Sequence, residues 1–163
     1  ERALDIMKDS RIGAFGAMAL VLALLSKVSL LALLGAHSLG AALAALAGGH
    51  VLSRLWPLFI VRWLPHVGDT ARSKSKPLAD QISRGALAAA VLWCFLPLAL
   101  VYQAHAATFL IASITVSMAA AAWMGRWFAR RLQGFTGDCL GATQQVGEIG
   151  FYLGAALALG AAR

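Results

Sequence analysis

From Ala14 to Leu34 the chain reads AFGAMALVLALLSKVSLLALL, a run in which Ser26, Lys27 and Ser29 are the only polar residues. Its apolar side chains fall on every side of a helix rather than in one stripe, and its length suits the roughly 30 Å hydrocarbon core of a bilayer. Charged flanks and the lack of a small-residue cleavage pattern argue against a signal peptide, so this span is expected to stay in the mature protein. The same texture recurs at Leu39 to Val61, Gly85 to Tyr102, Thr108 to Phe128 and Thr136 to Ala162. Across 163 residues the composition is 60 % hydrophobic and 13 % charged, with a mean hydropathy of +0.75. A soluble domain of this size cannot hide that much apolar surface. The expected fold is all-α, a single transmembrane domain over residues 1–163 built as a polytopic bundle of about five spans.

Charge sets the expected orientation. Arg2, Lys8 and Arg11 precede the first span; Arg62, Arg72, Lys74, Lys76 and Arg84 fill the segment between the second and third; Arg126, Arg130 and Arg131 follow the fourth. The turns near Gly35 to Ser38 and Gln103 to Ala107 hold no Lys or Arg. The positive-inside rule places the basic loops in the cytoplasm, the pattern of a multi-pass protein of the bacterial inner membrane. A sequence pI near 10.3 then follows from topology, and with no base-stacking motif nucleic acid is not an expected partner. Cys94 and Cys139 have no metal-ligand spacing and are expected to be packing residues; His37, His50, His66 and His105 are scattered. Trp56, Trp63, Trp123 and Trp127 are expected as interface anchors.

Two segments hold chemistry-bearing residues. In Asp5-Ile6-Met7-Lys8-Asp9-Ser10-Arg11-Ile12-Gly13 the two aspartates lie one helical turn apart, able to hold a hydrated Mg²⁺, and Lys8 and Arg11 can reach a phosphate beside it. A charged cap before a span is the structural alternative. In Gly134-Phe135-Thr136-Gly137-Asp138-Cys139-Leu140-Gly141, Thr136 is placed to cap the last helix. Asp138, Gly141, Gln145 and Glu148 follow at offsets that share one helix face. An acid inside lipid is costly unless it meets a partner or water, so this stripe marks a functional site. Asp138 and Glu148 are about 15 Å apart along the helix, too far for one ion to bridge. Glu148 is therefore expected to pair with a buried cation such as Arg54 or to orient a substrate, and Asp138 to bind metal or accept a proton. Arg54 and Lys27 could each snorkel to a boundary. Ser73, Lys74, Ser75 and Lys76 could clamp an anionic substrate or simply attract anionic lipid. The spacings Gly13-x-x-Gly16, Gly137-x-x-x-Gly141 and Gly150-x-x-x-Gly154 suit close helix packing, within the chain or in a homo-oligomer.

Read in order, Asp5-Ile6-Met7-Lys8-Asp9-Ser10-Arg11-Ile12-Gly13-Ala14-Phe15-Gly16, Lys27, Ser53-Arg54 and Thr136-Gly137-Asp138-Cys139-Leu140-Gly141-Ala142 with Glu148 resemble the cobalamin synthase (adenosylcobinamide-GDP ribazoletransferase) family. The resemblance covers the C-terminal part of that enzyme. It implies a Mg²⁺-dependent transferase that joins adenosylcobinamide-GDP to α-ribazole or its 5′-phosphate with release of GMP, a late step of cobalamin biosynthesis. Carried over by position, it implies catalytic roles for Asp9, Asp138 and Glu148, and metal binding by Asp5, Asp9 and Asp138. Substrate contacts fall to Lys8, Ser10, Arg11, Arg54, Lys74 and Lys76. The family's aspartate-rich Asp-Gly stretch, which precedes the first motif, has no match here, so the residues are expected to be a fragment of a longer enzyme. The competing expectations are a lipid-type phosphoalcohol transferase, with similar acids and a different acceptor, and a small transporter. Depth separates the last: a polar file running to the outer side, Lys27 included, would favour transport.

Overall fold

The computed structural model describes residues 12–67 and 82–161. Five long helices account for nearly all of them: α1 (Ala14–His37), α2 (Leu39–Trp63), α3 (Arg84–Ala104), α4 (Ala107–Arg131) and α5 (Gly137–Ala161). Each expected span is present, its ends within three residues of the reading from sequence. Four of them, α1 to α4, are long and apolar enough to cross a membrane. At 25 residues α5 has the length, but Gln144, Gln145 and Glu148 make it too polar to face lipid.

Two tight turns set the antiparallel layout. Ser38 ends α1 with its backbone N–H on the Leu34 carbonyl and starts α2 with its hydroxyl accepting from the Ala41 N–H at 3.0 Å, so one residue caps both helices. At the α3–α4 turn the His105 N–H closes onto Val101. The basic residues Arg62, Arg84, Arg126, Arg130 and Arg131 therefore sit at helix termini on one end of the bundle, here the basic end. At that end Pro65 and Val67, just past α2, exchange backbone hydrogen bonds of 2.9 and 3.0 Å with Phe135, just before α5. Gln133 turns the chain between α4 and α5 with φ 56°, the left-handed conformation in which a helix commonly stops.

The core has two levels. Leu34, Ala45, Leu52, Val101, Phe109, Phe151, Tyr152 and Ala155 pack together towards the far end. Ile60, Val61, Met124, Phe128, Phe135 and Cys139 form a second cluster at the basic end. The cysteines divide between the two, both buried. α2, α4 and α5 each contribute to both levels, and α1, α2 and α4 pack against α5. By contrast α1 buries Leu34 alone and turns Phe15, Met18, Leu22, Leu25 and Val28 outward, as a lipid-facing helix should.

Small residues bring α5 close to its neighbours. A Cβ on Gly154 would fall on the Ala112 carbonyl oxygen and the Ser113 Cα, and one on Gly150 would lie 3.0 Å from the Ser117 Cα. The Gly150-x-x-x-Gly154 spacing is thus used within the chain, against Ser113 and Ser117 of α4. On the other side Gly48 and Gly49 of α2 seat the rings of Phe151 and Tyr152, each 2.6 Å from where a Cβ would stand. At Gly13 and Gly141 a Cβ would meet nothing within 4 Å among the described residues, so neither packs closely against another described helix.

That contrast is testable by thermal melting of the detergent-solubilised full-length protein. Gly154→Val should lower stability by about 1–3 kcal/mol through overpacking. Gly141→Ala, which enters open space and improves helix propensity, should leave the melting temperature unchanged or raise it.

Candidate functional site

Lys27 lies mid-way along α1, and its ammonium turns into the bundle instead of snorkelling. It meets Glu148 Oε2 at 3.1 Å and donates to Gln145 Oε1 at 2.6 Å. The other carboxylate oxygen, Oε1, accepts from the Tyr152 hydroxyl at 2.7 Å, and His50 Nδ1 of α2 lies 3.6 Å from it. Three groups, one from each of three helices, thus converge on one buried acid, and Gln145 holds the ammonium of the first. The acid's side chain is 6 % exposed against 19 % for Lys27 and 49 % for His50, so the cluster is closed on the Glu148 side and open on the His50 side. Gln145, Glu148 and Tyr152 reach it together because spacings of three and four place them along one ridge of α5.

Arg54 is not the partner of Glu148, contrary to the reading from sequence. Its guanidinium donates from Nη1 to the His50 carbonyl at 2.7 Å, one turn back towards the start of α2. A side chain on a helix leans that way because Cα–Cβ bonds tilt to the N-terminus. The group is therefore held against its own helix. It is exposed on the same helix as His50, and its other N–H groups have no acceptor among the described residues.

Asp138 stands in the first turn of α5, exposed, beside the basic-end core residue Cys139. Between Asp138 and Glu148 the same face shows Gly141 and Gln145, both exposed. The expected stripe is real and faces away from the core until it closes on Glu148. Thr136, expected to cap α5, has its hydroxyl 3.3 Å from Cys139 Sγ instead of on a backbone N–H. Asp5, Lys8, Asp9, Ser10, Arg11, Lys74 and Lys76 lie outside the described residues. Among the described residues no three of His, Cys, Asp and Glu come together as a metal-holding group.

The reading from sequence missed how the α5 ridge is fastened. Trp56, expected as an interface anchor, donates from Nε1 to Ser117 Oγ at 2.7 Å, and that hydroxyl donates to the Gly147 carbonyl at 2.6 Å. A chain of hydrogen bonds thus ties α2, α4 and α5 one residue from Glu148. The hint was Gly147 itself, whose absent Cβ makes room for the Trp56 ring. Trp63, Trp123 and Trp127 remain largely exposed, as expected of interface indoles.

An apolar helical bundle with a polar layer inside it defines a multi-pass membrane protein whose intramembrane charges converge on a site. The chain belongs to the cobalamin-5-phosphate synthase family, whose model matches residues 1–156. It is 60 % identical to the adenosylcobinamide-GDP ribazoletransferase of Albidiferax ferrireducens, with 98 % of this chain and 62 % of that protein covered. The enzymes of the same name from a Polaromonas species and from Polaromonas naphthalenivorans are 58 % and 60 % identical, each over 98 % of this chain. The chain spans 61 % and 62 % of those two proteins, so it amounts to about three-fifths of these relatives' length. No solved structure matches it.

The ion pair gives a direct test. Lys27→Met or Glu148→Gln alone leaves an uncompensated charge inside the bundle and should cost about 3 kcal/mol or more. The double variant removes both charges and should recover most of the loss. Folded yield and melting temperature of the four proteins read this out.

Proposed function

We propose that this chain is part of an adenosylcobinamide-GDP ribazoletransferase, acting at the cytoplasmic face of a bacterial inner membrane. The observation that supports it most is the one-sided polar face of α5, which opens with Asp138 at the basic end and closes on Glu148 inside the bundle. In the reaction a hydroxyl oxygen of α-ribazole, or of its 5′-phosphate, bonds to the diphosphate phosphorus that bears the cobinamide. The bond from that phosphorus to GMP breaks. Such a transfer needs in-line positioning, neutralisation of diphosphate charge and a group to take the hydroxyl proton.

Asp138 suits the reacting end. It is an exposed carboxylate with no ion pair among the described residues, at the mouth of the polar face, where a hydrophilic substrate can reach it. It also fits Mg²⁺, which takes one or two carboxylates and fills its shell with water and phosphate oxygens. Asp5 and Asp9 are the other acids proposed to hold it, and when bound it supplies charge neutralisation on the diphosphate. Lys8, Ser10, Arg11, Lys74 and Lys76 are proposed to contact phosphate oxygens, and Asp9 to share the proton chemistry. Glu148 already accepts from Lys27 and Tyr152, so its proposed role is to position the cations around it rather than to attack or take a proton.

Transport is the weaker reading. Beyond Tyr152, α5 continues as Leu153 to Ala161 with no polar side chain, and α2 from Leu39 to Gly49 has none either. A polar file to the far end is therefore missing from both helices. Homo-oligomerisation, also proposed, must use faces other than Gly150 and Gly154, which α4 already covers.

Membranes containing the full-length protein should form GMP and cobalamin from adenosylcobinamide-GDP, α-ribazole and Mg²⁺. Asp138→Ala should lower that turnover at least about 100-fold. A folded full-length wild type with no turnover would sink the assignment.

A further inference from the structure

Among the described residues there are two acids, Asp138 and Glu148. Glu148 is taken by Lys27, and Asp138 lies about 15 Å nearer the basic end. Arg54 is thus an intramembrane cation without a counter-charge on the described helices, an arrangement that is expensive unless something anionic is bound beside it. Its side chain is also held. The hydrogen bond from Nη1 to the His50 carbonyl uses one guanidinium N–H, and the others have no acceptor among the described residues; a planar guanidinium can meet two phosphate oxygens at once.

The neighbours point the same way. His50 turns Nδ1 towards Glu148, which leaves Nε2 on the other edge of a half-exposed ring. Lys27 and Gln145 lie across from it on α1 and α5. The layer holds two basic side chains, Lys27 and Arg54, against one acid, Glu148. The layer is closed towards the far end, where Gly48 and Gly49 are filled by Phe151 and Tyr152. Towards the basic end the exposed face through Gln145, Gly141 and Asp138 stays open.

We propose that Arg54, His50 and Lys27 form a second anion subsite, deep in the bundle, that takes a phosphate group of a nucleoside diphosphate whose reacting end lies towards Asp138. Arg54 is nine residues, about 13 Å, inside α2 from Trp63. A lipid headgroup at the boundary does not reach that level, which favours a water-borne phosphate compound. The identity of the ligand rests on the transferase reading; the existence of the subsite does not.

Equilibrium binding of GDP and of inorganic pyrophosphate to the full-length protein in nanodiscs tests this without turnover. Arg54→Gln should raise both dissociation constants roughly tenfold or more, the worth of a lost charge-assisted bidentate contact. Arg54→Lys, which keeps the charge and loses the fork, should raise them by less. The folded Lys27→Met/Glu148→Gln double variant should also bind more weakly, since it removes the ammonium along with the acid that orders it. Wild-type affinity in Arg54→Lys and in the double variant would overturn the proposal, as would an Arg54→Gln protein that is destabilised yet binds both probes normally. The second result would mean that Arg54 pairs with an acid of the protein. Turnover by the wild type with unchanged probe binding in the variants would remove the subsite alone. Arg54-dependent binding without turnover would remove the enzyme assignment alone.

Discussion

A carboxylate inside a bilayer must be answered by another group, and the architecture is organised around answering Glu148. Placing that acid eleven residues into α5 makes α5 unfit to face lipid. The helix is accordingly wrapped by α1, α2 and α4. Close wrapping needs small residues at the crossings, and they are there: Gly150 and Gly154 against α4, and Gly48 and Gly49 under the rings of Phe151 and Tyr152. The same rings bring the Tyr152 hydroxyl to the acid, and the α1–α2 hairpin brings Lys27 to its other oxygen. One electrostatic demand thus explains why the helix that carries the buried acid is central and why the most apolar, α1, lies at the edge.

The arrangement also divides the bundle by depth. Above the polar layer the helices are sealed by aromatic and small residues. Below it, among the described residues, one face of α5 is exposed as far as Asp138.

Local signals settle some questions from sequence alone. Apolar run lengths, the paired short turns and the distribution of Lys and Arg are enough for the five helices, their limits and their alternation, because in lipid each span must satisfy its own backbone and can be read by itself. The offsets of Asp138, Gly141, Gln145 and Glu148 likewise make a common face legible, since helical periodicity is a local property. Membership of the family was visible in the motifs around Lys8 and Asp138.

Partner choice was not local and was decided by the packing of helices distant in sequence. Lys27 and Arg54 are both cations within reach of the right depth, and the chain alone offers no means to choose between them. α1 lays Lys27 across α5, and the tilt of side chains on α2 turns Arg54 back onto its own His50 carbonyl. Trp56 reads as an interface indole until Gly147, ninety-one residues later, opens a space for it beside Ser117. Sequence therefore determined which helices form and which faces are polar, through interactions of a few residues' range. Tertiary structure decided which cation neutralises Glu148 and which is left open to a ligand, because those energies exist only once three helices share one layer.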